Sequence, residues 1–198
     1  LNAENTGDIR MRIFNSDGTE AEMCGNGIRC LVKFFADMNS IKSLEKLVIE
    51  TKAGLIYSSL NSEGDITVDM GVPQLQPSYI PTKLSIGSSG LPQGIIELDG
   101  IHFNVASVGM GNPHVIIPLQ NIDNIPISKW GPLLETHSMF PKKTNVHFLT
   151  VKDPNWVQIK VWERGSGQTL ACGTGACASL VAAHLLGLIE NQARVSLP

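Results

Sequence analysis

"AEMCGNGIRC", Ala21 to Cys30, sets a cysteine immediately before a Gly-Asn-Gly turn with an apolar pattern behind it, and "ACGTGACAS", Ala171 to Ser179, repeats the arrangement far downstream. Behind the first turn Ile28, Leu31, Val32, Phe35 and Met38 recur at helical spacing, which predicts a helix to about Asn39. Behind the second, "GACASLVAAHLLGLI" carries small or apolar residues on almost every face, the pattern of a helix buried all round. A helix N-terminus carries partial positive charge and unpaired N–H groups, which stabilise a thiolate and can hold an anion beside it. Glycine after each cysteine lets a ligand approach the backbone. Cys24 and Cys172 are therefore the candidate reactive thiols. Cys30 and Cys177 are expected to pack as small core hydrophobes.

Outward from these turns the chain reads as two halves with one grammar. "DIRMRIF" alternates Ile9, Met11 and Ile13 against polar residues, the period of a half-buried strand. "KLVIETKAGLIYSSLNSEGDITVDMG" reads as three strands, with turns at Lys52 to Gly54 and Asn61 to Gly64. Gly71, Pro73, Pro77 and Pro81 form a connection, so the expected domains are 1–72 and 73–198. In the second half "GIIELDGIHFNVASVG" predicts a hairpin turning at Asp99-Gly100, and "PHVIIPL", "TNVHFLTV" and "WVQIKVWERG" predict further strands before the second helix.

Composition narrows the function classes. Among 198 residues 42% are hydrophobic and 17% charged, as in a globular chain with a sizeable core. A net charge of −3, without Lys/Arg clusters, gives no field to attract nucleic acid or an anionic membrane. No apolar run approaches a membrane span, and the first residues lack a signal-peptide pattern, so a soluble, intracellular protein is expected.

Paired cysteine-tipped helices suit one kind of chemistry. Inverting a stereocentre through a planar carbanion needs one group to remove a proton from one face and another to deliver a proton to the opposite face. A thiolate and a thiol do this, exchanging roles with the direction of reaction. Helix N-terminal N–H dipoles meet the developing enolate charge of a substrate carboxylate. The C-x5-C and C-x4-C spacings fit a four-cysteine zinc site poorly, though a non-catalytic thiol or metal-binding protein stands as the alternative from another class.

"FNSDGTEAEMCGNGIRC", "GNPH", "TNV" and "ERGSGQTLACGTGACA", in this order, resemble the diaminopimelate epimerases. The resemblance implies an α/β (α+β) fold of two pseudo-symmetric domains, each a mixed, mostly antiparallel sheet wrapped around a central helix, with the site in the cleft between them. It implies a cofactor-independent, metal-free isomerase that interconverts LL- and meso-diaminopimelate on the route to lysine and peptidoglycan precursors. By the same resemblance Cys24 and Cys172 are the catalytic cysteines, and His114 and Glu163 are groups placed near them. Gly25-Asn26 and Gly173-Thr174 correspond to the backbone cradle of the reacting carboxylate, and Asn15, Asn112, Asn145 and Arg164 to side chains holding the distal amino-acid end. Glu163 is counted in the substrate shell as well. The other histidines, His102, His137, His147 and His184, are expected to be structural. The family's Gly-rich opening and its closing Gly-Gly strand segment do not occur in this sequence, so part of the substrate shell is expected to lie outside it. The resemblance points to the cytoplasm, or the plastid stroma for a plant source, to a small-molecule substrate as the partner, and admits a homodimer. A proline or hydroxyproline racemase-like enzyme is the nearest rival, but Asn26 and "WERGSGQTLA" differ from its pattern.

Overall fold

A computed structural model describes residues 7–14, 18, 20, 21 and 23–198. The chain divides into two compact units, Leu1–Gly71 and Val72–Pro198.

In the first unit the strand expected from Asp8 to Phe14 is broken in two: β1 (Ile9–Arg10) runs parallel to β4 (Leu44–Thr51), whereas β2 (Ile13–Phe14) pairs with β3 (Glu20–Ala21). Arg12 lies just before β2 and donates Nε–H and Nη2–H to the two carboxylate oxygens of Glu20 at 2.9 and 3.2 Å. Helix α1 (Gly25–Met38) follows. Strands β4, β5 (Gly54–Leu60) and β6 (Ile66–Asp69) then form the expected antiparallel meander, in the sheet order β1-β4-β5-β6. One stripe of α1, Ile28, Val32 and Ala36 at four-residue steps, is buried with Leu47, Ile49, Ile56 and Leu60 of the sheet. Cys30 sits about 200° around the helix from Ile28, on the far side from this stripe. It is exposed, so the expectation that it packs in the core is corrected.

The second unit is built on one large sheet. β7 (Gln93–Leu98) and β8 (Ile101–Gly109) form the hairpin expected at Asp99-Gly100, where both residues take positive φ, 51° and 75°, as a two-residue type I′ turn requires. β9 (Pro113–Pro118) pairs with β8. Helix α2 (Ile127–Glu135) leads to β10 (Asn145–Asp153), which lies parallel to β9 and antiparallel to β11 (Trp156–Glu163). β12 (Gly167–Thr169) pairs with the end of β11, and after α3 (Gly173–Leu185) β13 (Arg194–Ser196) pairs with its beginning. Both units are thus mixed, mostly antiparallel sheets packed on helices.

Alternation along β9 and β10 divides the sheet into two faces. Val115, Ile117, Val146 and Phe148 join Ile127, Trp130 and Leu134 of α2 in one core. The intervening residues, with Asn145 paired to His114 and His147 paired to Ile116, face α3. Cover on both faces explains why β9 and the first part of β10 are buried almost without interruption. Among the described residues no helix is long and apolar enough to cross a membrane.

Sequence did not indicate α2, because Pro126, Gly131 and Pro132 in nine or ten residues read as breakers. Burial holds it: Leu134 is fully buried, and Gly131 lies so close to the Trp162 ring that a Cβ would come within 2.5–2.7 Å of three ring atoms. Helix propensity favours Gly→Ala by about 1 kcal/mol, whereas overpacking costs about 1–3 kcal/mol. Gly131→Ala is therefore expected to lower the denaturant midpoint. A raised midpoint would show that α2 does not press on Trp162.

Candidate active site

Both candidate thiols occupy N-caps with nearly the same backbone. Cys24 has φ −142°, ψ 112° before α1, and Cys172 has φ −138°, ψ 106° before α3. Extended dihedrals at a helix entry turn the cap side chain back toward the first-turn N–H groups. At Cys24, which is half-buried, Sγ accepts the Gly27 N–H at 3.4 Å, in the role usually taken by a serine or aspartate oxygen. Gly25 and Asn26 form the first helical positions behind it.

Cys172 differs. It is only 6% exposed, and its Sγ has the Thr174 hydroxyl at 3.4 Å and the Gly175 N–H of the first turn as polar neighbours. Burial pushes the thiol up to about 11, and the negative charge of Glu163 pushes in the same direction, against the Thr174 hydroxyl and the Gly175 N–H. The expected thiolate stabilisation by the helix end is therefore overruled at this site: Cys172 rests as a thiol. Glu163 is itself fixed by the Thr169 hydroxyl, which donates to Oε1 at 2.6 Å across the β11–β12 turn. Cys177 is half-buried, and burial raises its thiol too, so it is only partly the core residue expected. Helix α3 is likewise not buried all round, since Ala178, Ser179, Ala182 and Ala183 face inward and His184 is exposed.

The remaining site residues of the second unit gather at the β9, β10 and β11 ends. Asn145 is 4% exposed and its amide joins two backbones: Nδ2 donates to the Pro113 carbonyl at 2.8 Å, and Oδ1 accepts the Arg164 N–H at 3.0 Å. It therefore fixes the start of β9 and the turn carrying Arg164. The Arg164 side chain is half-buried, with Nη1 3.4 Å from the Lys142 carbonyl. Asn112 Oδ1 lies 2.7 Å from His114 Nε2, in hydrogen-bond contact. Burial, followed by the positive fields of His147 and Arg164, holds His114 well below the usual imidazole range. Asn15 lies outside the described residues.

Two residues escaped the sequence reading. His147 is fully buried, with Nε2 2.8 Å from His114 Nδ1, so it belongs to the site cluster rather than to the structural histidines. Its signal was its place two residues after Asn145, which puts two polar groups on one face of an apolar strand. Glu135, 7% exposed, accepts the Trp162 indole N–H at 2.8 Å and the Gly165 N–H at 3.1 Å, and so anchors the turn after Arg164 to α2. An acid closing the apolar "WGPLLE" was the trace it left.

Alkylation of Cys172 by iodoacetamide should thus be slow near neutral pH and rise with a midpoint near 11. Glu163→Gln removes a charge that opposes the thiolate, so the midpoint should fall. Fragment-ion mapping separates Cys172 from Cys177, and a Cys172 midpoint below that of an ordinary thiol would contradict the assignment.

A profile of the diaminopimelate epimerase family matches residues 1–76 and 106–198. A diaminopimelate epimerase of Prochlorococcus marinus (strain MIT 9313) is 58% identical over 192 residues, covering 97% of this chain and 63% of that protein. Another, from strain NATL1A, is 51% identical over 198 residues, covering all of this chain and 70% of its own length. The crystal structure of a probable proline racemase from Agrobacterium radiobacter K84 superimposes with a TM-score of 0.64 at 14% identity, over 94% of this chain and 60% of that one, a likeness of fold. The chain therefore spans about two thirds of the length of these proteins. With the profile matching both units and more than half the residues identical to a relative over nearly the whole chain, the chain belongs to the diaminopimelate epimerase family.

Proposed function

We propose that this chain carries the two acid–base cysteines of a cofactor-independent epimerase that interconverts LL- and meso-diaminopimelate. The observation that carries the reading is the pair of N-cap cysteines with one backbone geometry and two environments, Cys24 bonded to an N–H and Cys172 buried beside a carboxylate. In one direction the Cys24 thiolate takes the α-proton. The C–H bonding pair stays on carbon and spreads into the carboxylate, while the Cys172 thiol gives its proton to the opposite face. Cys24 then holds the thiol and Cys172 the thiolate, the state from which the reverse reaction starts. A sulfur whose thiolate is strongly basic suits abstraction from a weakly acidic carbon, which gives Glu163 its purpose beside Cys172.

The N–H groups of Gly25, Asn26, Gly173 and Thr174 stand in the first turns of α1 and α3, the positively charged helix ends. They are the donors for the reacting carboxylate and its enolate. Arg164 and Asn112, with Asn15, hold the distal amino-acid end, and Asn145 sets the backbone that presents Arg164. Chemistry on a free amino acid without a cofactor fits the cytoplasm.

In the full-length protein Cys24→Ala and Cys172→Ala should each lower kcat/KM roughly 10³-fold or more. The double variant should be little worse than either, with far-UV dichroism unchanged. A single variant that keeps wild-type turnover would remove the two-base reading. Racemisation of proline or hydroxyproline, in place of diaminopimelate, would overturn the substrate assignment.

A further inference from the structure

His114 and His147 form a buried polar chain that ends on Asn112. Both rings are fully buried, their centroids are 5.0 Å apart, and the contacts run Asn112 Oδ1 to His114 Nε2 at 2.7 Å and His114 Nδ1 to His147 Nε2 at 2.8 Å. Burial lowers His147 to about 3 and His114 falls the same way, so both rings are neutral and each carries one proton. Two proton patterns satisfy these contacts. In one, every N–H points toward Asn112; in the other, every N–H points away from it and the amide is turned over.

The far end of the chain decides between them. His147 Nδ1 is buried and has no hydrogen-bond partner among the described residues. A buried N–H without an acceptor is rarer and costlier than an acceptor without a donor, so Nδ1 is the bare nitrogen. Its surroundings agree. The ring edge lies against Gly175, where a Cβ would stand 2.9 Å from either ring nitrogen and closer still to Cε1. Gly175 is in the first turn of α3, whose partial positive charge favours a lone pair over an N–H. The glycine there makes room for the imidazole.

We infer that His147 is a positioning residue for substrate binding: it donates Nε2–H to His114 Nδ1, which commits His114 to the Nε2–H tautomer and turns the Asn112 amide so that Nδ2–H2 faces outward. The inference rests on the reading that Asn112 meets the distal end of the substrate. Asn112 Nδ2 has no partner among the described residues, and the Arg164 charge acts on the same cluster. An outward amide N–H, in a cluster that the Arg164 charge reaches, is a donor for a carboxylate. The opposite chain would present Oδ1, which repels one.

Imidazole ¹⁵N spectra of the chain test the proton pattern directly. His114 should show a bare Nδ1 and a protonated Nε2, and His147 a bare Nδ1. His147→Phe keeps an aromatic ring against Gly175 but removes the donor, and His147→Gln restores one. In the full-length protein His147→Phe should raise KM for diaminopimelate roughly tenfold or more with kcat within about threefold, and His147→Gln should recover most of the loss. If His147→Phe does not fold, the His147→Gln kinetics and the wild-type spectrum still decide. A bare Nε2 on His114, or a folded His147→Phe with unchanged KM, overturns the inference. Absence of diaminopimelate turnover in the wild type would instead defeat the functional reading, and the spectrum would then judge the proton pattern alone.

Discussion

A helix that begins at a cysteine fixes where the sulfur points. The cap residue must be extended while the next residue is already helical, and the side chain is then held against the first-turn N–H groups. Cys24 and Cys172 satisfy this constraint within a few degrees of one another. What separates them is the protein around the cap. Cys24 is half-buried with Sγ on the Gly27 N–H, whereas Cys172 is enclosed and faces the Glu163 charge, which together outweigh the Gly175 N–H and raise its thiol.

In the second unit the surroundings of Cys172 are held from both faces of one sheet. On the α2 side, Glu135 grips the Trp162 indole and the Gly165 N–H, and Gly131 lets the ring approach the helix. On the α3 side, Asn145 joins the start of β9 to the turn at Arg164, and His147 lies against Gly175. Asn145, His114, His147 and Glu135 are buried, and a buried polar group left unbonded has its desolvation uncompensated. Asn145, His114 and Glu135 meet that demand by bonding backbone or another site residue, which ties the Arg164–Gly165 backbone and the Asn112 side chain into the layer.

The strands and both cysteine-tipped helices were legible because local periodicity and turn chemistry determine them; Asp99-Gly100 is the clearest instance, since only a positive-φ pair closes so short a hairpin. Helix α2 was hidden because its prolines and glycine oppose helix locally and tertiary burial prevails. Cys30 was misplaced by residue-type preference, where the angular position of the Ile28, Val32, Ala36 stripe already put it outside. The high-lying Cys172 thiol could not be read from the helix end alone, because enclosure depends on residues distant in sequence. His147 was the missed site residue, and strand parity with Asn145 was the available clue.

The central claim is that two different thiols serve opposite faces of one carbon, and the label that tracks the two protons tests it most directly. LL-diaminopimelate is converted by the full-length protein in deuterium oxide, and substrate and product are separated at low conversion. The account predicts deuterium at the inverted α-carbon of the meso product while the recovered LL substrate remains unlabelled, and the mirror result when the reaction starts from meso. Label entering recovered substrate as fast as product, or the original proton carried over into product, would show a single base at work and would contradict it.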